Sequence, residues 1–193
     1  MSTDVERHRE LMLEAIALDG EAQRALLAGD GEASRIAFAR ASVRYRSSWE
    51  AAPPRSYGRL VGMLKSSILA GDAMGAATYA RAALTTEDEP LSPPAAYVVA
   101  VAALVQEDDN AARRAALQMR AGSEEFVRTA DAVAALVNRD AGAYATALAA
   151  IVRDFEDRDA HLTGVRIADT AIMLERLAAP RGLTASPISP VVG

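Results

Sequence analysis

The sequence predicts an all-α protein built from antiparallel helical hairpins, and three observations support this prediction. Alanine, the residue with the highest helix propensity, is the commonest residue in this chain of 193 residues. Aromatic residues make up only 5% of the chain, and β-branched residues are also few, which disfavours a β-sheet. In addition, one short signature recurs four times along the chain, as internal repeats do in stacked helical folds.

The recurring signature consists of two aliphatic residues, two linker residues, an aspartate and a small residue three positions later. Its four aspartates are Asp30, Asp72, Asp108 and Asp140. We expect each copy to form the turn of a helical hairpin. In two copies a glycine precedes the aspartate and can end a helix in the left-handed conformation. The aspartate then caps the next helix by accepting a backbone N–H bond.

Hydrophobic periodicity, prolines and glycines divide the chain into nine predicted helices. They span about 4–28, 31–52, 56–70, 73–85, 94–106, 109–121, 124–138, 141–157 and 165–179. Helix 31–52 is amphipathic, and we expect it to bury one stripe that includes Phe38, Tyr45 and Trp49. Helix 94–106 carries no charge from Ala95 to Val105. We therefore expect it to be surrounded on most sides, in the middle of the stack or in a homodimer interface.

The last predicted helix is expected to cap the C-terminal end of the stack, because end units of such stacks must cover the last hydrophobic face. Val165, Ala168, Ile172 and Leu177 are its expected buried residues. Residues 1–181 are predicted to form a single helical-repeat domain. Residues 182–193 are predicted to form an irregular, proline-containing C-terminal tail.

The hairpins resemble tetratricopeptide repeats. Gly71 and Asp72 are followed by Ala76, Ala80 and Ala83, which is similar to the ladder of small residues in the second helix of that repeat. Partial matches in the other copies are Asp30 with Phe38 and Ala41, and Asp108 with Ala112 and Ala116. The resemblance covers about 25–157. It implies a degenerate, tetratricopeptide-like α-solenoid of about four antiparallel hairpins, to which the C-terminal capping helix is added.

The last third of the chain resembles an all-α bacterial immunity protein family, immunity protein family 49. The resemblance is carried by a helix opened by Asp140, a final helix ending at Leu177-Ala178, and a tail with Ser186-Pro187 and Ser189-Pro190. The helix also contains Ala143, Tyr144, Ala147 and Leu148. The resemblance implies a protein that neutralises a bacterial toxin by binding to it.

Composition and charge exclude several functional classes. The net charge of −5 disfavours nucleic acid as a partner, since phosphate binding needs a basic surface. The uncharged run from Leu91 to Gln106 is shorter than the roughly 20 apolar residues that span a bilayer. The charged start of the chain does not resemble a signal peptide, and the absence of cysteine excludes thiolate chemistry. We expect a cytoplasmic protein without a cofactor and without a nucleic-acid or membrane partner.

The candidate binding residues are acidic residues in the predicted connections between hairpins. In a stack of hairpins these connections lie along one edge, where they would form an acidic edge that docks a basic partner, such as a basic toxin domain. These residues are Glu87, Asp88, Glu89, Glu124, Glu125, Asp157 and Asp159. Arg40 and Arg44 lie beside the buried stripe of helix 31–52 and are candidates for binding an acidic group. Solvated loops and a solvated helix face are the alternative interpretations.

The sequence contains no recognisable catalytic motif, and three functional hypotheses follow. The first is a non-enzymatic protein–protein interaction module, in its sharpest form an immunity protein. The second is a tetratricopeptide-like scaffold or regulatory protein that binds a peptide in a concave groove. The third is a small all-α enzyme that uses Asp154, His161 and the carboxylates between them for metal binding or acid–base chemistry. His8, the other histidine, is expected to be a solvated surface residue.

Overall fold

The computed structural model describes residues 2–85, 87 and 90–192, with side chains from Glu6 onward. The described residues form nine α-helices and no strand. The helices are α1 (Ser2–Leu27), α2 (Gly31–Ala51), α3 (Gly58–Ala70), α4 (Met74–Ala83), α5 (Pro93–Val105), α6 (Asp109–Met119), α7 (Glu124–Asn138), α8 (Ala141–Glu156) and α9 (Asp169–Ala178). A short 3-10 turn, Ala179–Arg181, follows α9. Within the described part of the chain, no helix is long and apolar enough to cross a membrane.

The nine predicted helices are all present. The first eight begin and end within two residues of the predicted positions, whereas α9 begins at Asp169 rather than at 165. The residues before α9 are not helical because they pack against the C-terminal segment. The backbone N–H of Ala168 donates to the carbonyl of Val191 at 2.6 Å, and both residues are fully buried.

The four repeated turns share one backbone conformation. The residue before each aspartate of the signature is left-handed. These residues are Gly29, Gly71, Glu107 and Arg139, with φ of 77°, 89°, 58° and 54°. The first two are glycines, which adopt this conformation without steric cost. Glu107 and Arg139 adopt it although a side chain disfavours it. The signature therefore specifies the same turn whether or not glycine is present.

Three of the four predicted aspartate caps are confirmed. The carboxylates of Asp30, Asp108 and Asp140 accept the backbone N–H three residues later at 2.9–3.0 Å. The prediction for Asp72 is wrong, because α4 begins one residue later and has Ala73 at its N-cap position, without a side-chain cap bond. The backbone N–H of Asp72 donates to the carbonyl of Ser67, five residues earlier, as the backbone N–H of each of the other three aspartates also does.

These caps give a prediction with an internal control. Replacing Asp30, Asp108 or Asp140 by alanine is expected to lower the free energy of unfolding by about 1 kcal/mol each. Asp72→Ala is expected to change it very little, since its carboxylate caps no helix. Urea denaturation followed by circular dichroism measures all four variants. A loss for Asp72→Ala as large as for the others would show that the structure assigns the caps incorrectly.

The cap at Asp108 also depends on pH. The backbone N–H of Ala111 and the guanidinium of Arg81 both bind its carboxylate, and together they hold the pKa of Asp108 below its ordinary value. A lowered folded-state pKa stabilises the protein above the ordinary pKa of aspartate, about 4. We expect this contribution to be lost as the pH falls from about 4 through the lowered pKa.

The helices pack in chain order. Each of the first eight helices contacts the next, and α3 contacts α5 and α5 contacts α7 across the intervening helix. The uncharged helix α5 contacts α3, α4, α6 and α7. Its buried residues are Ala95, Ala96, Tyr97, Val98, Ala100, Val101, Ala102, Ala103 and Leu104. The expectation that this helix is surrounded is confirmed, and its neighbours belong to the same chain.

Helix α9 does not act only as an end cap, and that prediction is corrected. It contacts α3 as well as α8, so it lies across the molecule and not beyond its last hairpin. Its buried face is formed by Ala171, Met173, Leu174 and Ala178. Ile172 and Leu177, two of the expected core residues, are only partly buried. Asp169 at the start of α9 is also bound by Lys65 of α3, so an ion pair adds to the apolar contacts of this helix.

Candidate functional site

A half-open cleft of about 390 Å³ lies between α3, α5, α7 and α8. Its walls are mainly apolar and include three aromatic rings. The apolar lining residues are Val61, Pro94, Tyr97, Phe126, Ile151 and Phe155. The rings of Tyr97 and Phe126 meet edge to face, with centroids 6.2 Å apart. Burial raises the pKa of Tyr97 to about 12, so its hydroxyl is neutral at physiological pH.

The rim of this cleft is a network of ion pairs centred on Asp154. Its Oδ1 lies 2.5 Å from Nη2 of Arg128, and its Oδ2 accepts bonds from Nε and Nη2 of Arg158 at 3.0 and 2.5 Å. Arg128 also pairs with Glu124 at 3.3 Å. The guanidinium of Arg158 lies 3.9 Å from the centroid of the Phe155 ring, in a cation–π contact. Asp154 is thus fully engaged by two arginines.

The predicted cluster from Asp154 to His161 does not converge. The His161 ring packs against Phe155, with centroids 6.1 Å apart, while Asp157 and Asp159 are exposed. Among the residues that the structure describes, no three His, Asp or Glu side chains come together as metal ligands. The i,i+4 spacing of Asp154 and Arg158 was a sequence signal for the ion pair that forms instead.

A smaller cavity of about 190 Å³ lies next to the cleft and shares Phe155, Arg158 and Thr170 with it. Lys65 and Asp169 line its inner side, together with Gln23 and Thr163. His161 also lines it, and the Nε2 of this histidine is buried without a hydrogen-bond partner. The cavity therefore connects the aromatic cleft to the most strongly charged part of the interior.

That interior part is a buried charge cluster of Asp19, Lys65 and Asp169, which the sequence analysis missed. Lys65 binds Asp169 directly, and its Nζ lies 3.9 Å from Oδ2 of Asp19. Tyr45 donates to Asp19 at 3.0 Å, and Gln23 donates to Asp169 at 3.0 Å. The cluster joins α1, α2, α3 and α9. The residues on either side of Lys65, Leu64 and Ser66, are both buried. A lysine in a mainly apolar helix was the sequence signal that could have indicated a buried charge.

The pKa values in this cluster follow from burial and pairing. Burial raises the pKa of Asp19, and the nearby Lys65 offsets this effect only in part. Burial lowers the pKa of Lys65, but the carboxylates of Asp169 and Asp19 outweigh it, so that the pKa of the ammonium lies above its ordinary value. Burial and the adjacent Asp19 also raise the pKa of the Tyr45 hydroxyl. Lys65 is therefore a permanent cation.

The predicted acidic edge is only partly as expected. Glu87 accepts a bond from the Tyr57 hydroxyl at 2.5 Å, while Asp88 and Glu89 lie outside the described residues. The exposed residues are Glu124, Glu125, Asp157 and Asp159. Glu124 pairs with Arg128 of the cleft rim, and Glu125 also lines the cleft. Arginines are thus interleaved with the carboxylates at this edge.

Arg40 and Arg44 are exposed on α2, as predicted. Arg44 pairs with Glu14 of α1 at 3.1 Å. Arg40 lies between two large aliphatic residues, Ile36 and Val43, whose exposed fractions are 53% and 61%. Their spacing of four and three residues places all three on one face of the helix. We call Ile36, Arg40 and Val43 the outer strip.

The prediction that His8 is solvated is wrong. His8 is only 7% exposed, and its Nδ1 lies 2.9 Å from Nη2 of Arg59. Ser48 donates to the backbone carbonyl of His8 at 2.7 Å. The charged neighbours Arg7 and Arg9 indicated an exposed segment, but α2 and α3 cover this side of α1.

Comparisons with models of protein families, with curated proteins and with solved structures found no match to this chain. The function proposed below therefore rests on the sequence and on the geometry of the molecule.

Proposed function

We propose that the protein is a non-enzymatic protein-binding module, and the outer strip is the observation that carries this proposal. Ile36 and Val43 expose more than half of their surfaces on a rigid helix, with Arg40 between them. Exposed apolar groups that cluster on one face mark interaction surfaces. Arginine is one of the residues enriched at protein interfaces. The strip fits a partner surface with apolar side chains around a carboxylate.

The helix contacts support a tetratricopeptide-like solenoid as the scaffold for this surface. Neighbouring helices pair in order, and α5 contacts both α3 and α7. In such a solenoid these helices would line the concave groove that binds peptides. Because α9 contacts α3, the chain's own C-terminal segment would occupy part of that groove. This favours the outer strip over the groove as the binding surface.

In its sharper form, the proposal is that the protein is an immunity protein that neutralises a toxin by stoichiometric binding. The resemblance of the C-terminal third supports this form. A second surface is relevant here, because Glu124, Asp157 and Asp159 are exposed and would attract a basic toxin domain. Charges of this kind mainly raise the association rate and select partners. A basic partner would therefore indicate the acidic residues as the binding surface, and a partner with apolar side chains around a carboxylate would indicate the outer strip.

The test is in-cell cross-linking with mass spectrometry in the protein's own organism, comparing wild type with Ile36→Asp/Val43→Asp. We expect the double variant to weaken recovery of the bound protein by roughly tenfold or more, because both apolar contacts are replaced by charges. Leu117→Asp is the matched control, since Leu117 is 65% exposed on α6, away from the strip. Both variants should unfold within about 0.5 kcal/mol of wild type.

A third variant, Glu124→Lys/Asp157→Lys/Asp159→Lys, tests the acidic edge. Loss of the partner in this variant alone would place the interface at the edge and not on the strip. Recovery of the same partner at wild-type levels with both surfaces altered would contradict the proposal. For the immunity form, the partner expressed alone should arrest growth, and co-expression of the wild-type protein but not of Ile36→Asp/Val43→Asp should restore it.

A further inference from the structure

We propose that the cleft between α3, α5, α7 and α8 is a binding site for an uncharged small molecule that contains an aromatic ring. This inference goes beyond the protein-binding function, which uses the outer strip on α2. The cleft holds about 390 Å³, within the roughly 300–1,000 Å³ of small-molecule sites. It is too small to accept a helix of about 10 Å diameter.

The walls of the cleft favour a planar ring. Tyr97, Phe126 and Phe155 each contribute an aromatic surface, and Val61 and Ile151 complete the apolar lining. Aromatic rings prefer edge-to-face or offset contacts with other rings, and the Tyr97–Phe126 pair already shows the edge-to-face geometry. A ligand ring placed among these residues would extend that arrangement.

The charges at the rim favour an uncharged ligand. Arg128 and Arg158 contribute two positive charges to the lining, and Asp154 and Glu125 contribute two negative charges. Both arginines are bound to Asp154. An anionic ligand would find no unpaired cation in this apolar space, and burial of an unpaired charge is costly. Within the described part of the chain Glu125 forms no ion pair, but it is exposed to solvent and would do little to stabilise a buried cationic ligand.

The adjacent cavity gives the ligand a polar end. Thr170 lines both the cleft and this cavity. Its hydroxyl can donate and accept a hydrogen bond. A hydroxyl, amide or ring nitrogen on the ligand would bond to this hydroxyl. We therefore specify the ligand as an uncharged aromatic compound with one polar substituent.

The experiment is a fluorescence titration of the purified protein with two probes. N-phenylnaphthylamine is uncharged and aromatic and carries one N–H group, and anilinonaphthalene sulfonate has the same ring system with a negative charge. We expect saturable binding of the uncharged probe at one site per chain. We expect binding of the sulfonate to be weaker by roughly fivefold or more, because the site holds no free cation for it.

Two variants fill the cleft. Gly58 lines it, and a Cβ at this position would meet no atom within 4 Å, so Gly58→Leu adds bulk from a backbone position with open space around its Cβ. Val61→Phe fills the same space from the next turn of α3. Each variant should weaken binding of the uncharged probe by roughly tenfold or more, as ligand and side chain compete for the same walls. Gly75→Leu is the matched control, because Gly75 is also in the first turn of a helix with open space around it.

Saturable binding of the uncharged probe that both filling variants weaken, and that Gly75→Leu retains, supports the proposal. Absence of binding to the wild-type protein overturns it. Binding that neither filling variant changes also overturns it, since the probe would then lie elsewhere. Equal affinity for the two probes would overturn the assignment of an uncharged ligand. Loss of a protein partner in Gly58→Leu, without any binding of the probe, would identify the occupant as a partner's side chain instead.

Discussion

Replacing Lys65 by methionine is expected to lower the free energy of unfolding by about 3–5 kcal/mol at pH 7, because the change leaves buried carboxylates without their cation. The side chains of Lys65, Asp19 and Asp169 are 13%, 0% and 11% exposed. Water therefore cannot solvate the two carboxylates in place of the lost ammonium. Denaturation in urea, followed by circular dichroism, measures the effect. It should exceed that of any helix cap described above.

The loss should shrink as the pH is lowered towards about 5. Without Lys65, no cation offsets the burial that raises the pKa of Asp19, so its folded-state pKa rises further above that of the unfolded chain. The folded variant then binds more protons than the unfolded chain, and its stability increases relative to wild type as the pH falls.

Two controls make this prediction specific. Arg44→Met removes an ion pair with Glu14 in which both side chains are about half exposed, and it should cost less than about 0.5 kcal/mol. Lys65→Met/Asp169→Asn removes both partners of the main buried pair and should recover part of the loss, since Asp169 is then uncharged and only Asp19 is left without its cation. If Lys65→Met proved as harmless as Arg44→Met, the buried charge cluster would not be as described.

Gly62→Ala is expected to cost about 1–3 kcal/mol, as overpacking of a well-packed core does. A Cβ on Gly62 would lie 2.7–2.8 Å from three ring atoms of Tyr45. Tyr45 is 1% exposed, and its hydroxyl is held by Asp19, so the ring cannot move away without breaking that bond. Thermal and chemical unfolding of the purified variant test this expectation.

Gly58→Ala is the matched control in the same helix. A Cβ at Gly58 meets nothing within 4 Å, and the change should be neutral or should stabilise the protein by up to about 1 kcal/mol through helix propensity. Equal effects of the two substitutions would show that helix propensity, and not the close approach of α2 and α3, explains the glycine at position 62.

The sequence predicted those parts of the fold that depend on neighbouring residues. The four repeated turns are determined within a few positions, by a left-handed residue followed by an aspartate, and three of the four caps form as expected. Asp72 is the exception because α4 starts one residue later, and helix ends are the least certain part of a prediction from sequence. The central position of α5 was also predictable from its own residues, since burial on all faces requires apolar residues on all faces.

The parts that sequence reasoning missed depend on contacts between distant residues. Lys65 and Asp169 are 104 positions apart, and no local pattern indicates that they meet. This pair is part of the contact between α9 and α3, so the end-cap prediction had no means of including it. At the candidate site, the pairing of Glu124 with Arg128 and of Asp154 with Arg158 was visible in i,i+4 spacing. The contact between Arg128 and Asp154, across 26 positions, was not.

The buried position of Lys65 has a consequence for the protein's amine chemistry. Lys65 is the only lysine in the chain, and arginine provides the other permanent side-chain cations. Reagents and enzymes that acylate lysine need an accessible, deprotonated amine, whereas this ammonium is enclosed by two carboxylates that raise its pKa. Modification of Lys65 by an amine-directed reagent should therefore be slow in the folded protein and should become faster when α3 and α9 separate. The rate of that modification would report the opening of the fold at a single residue, without an introduced label.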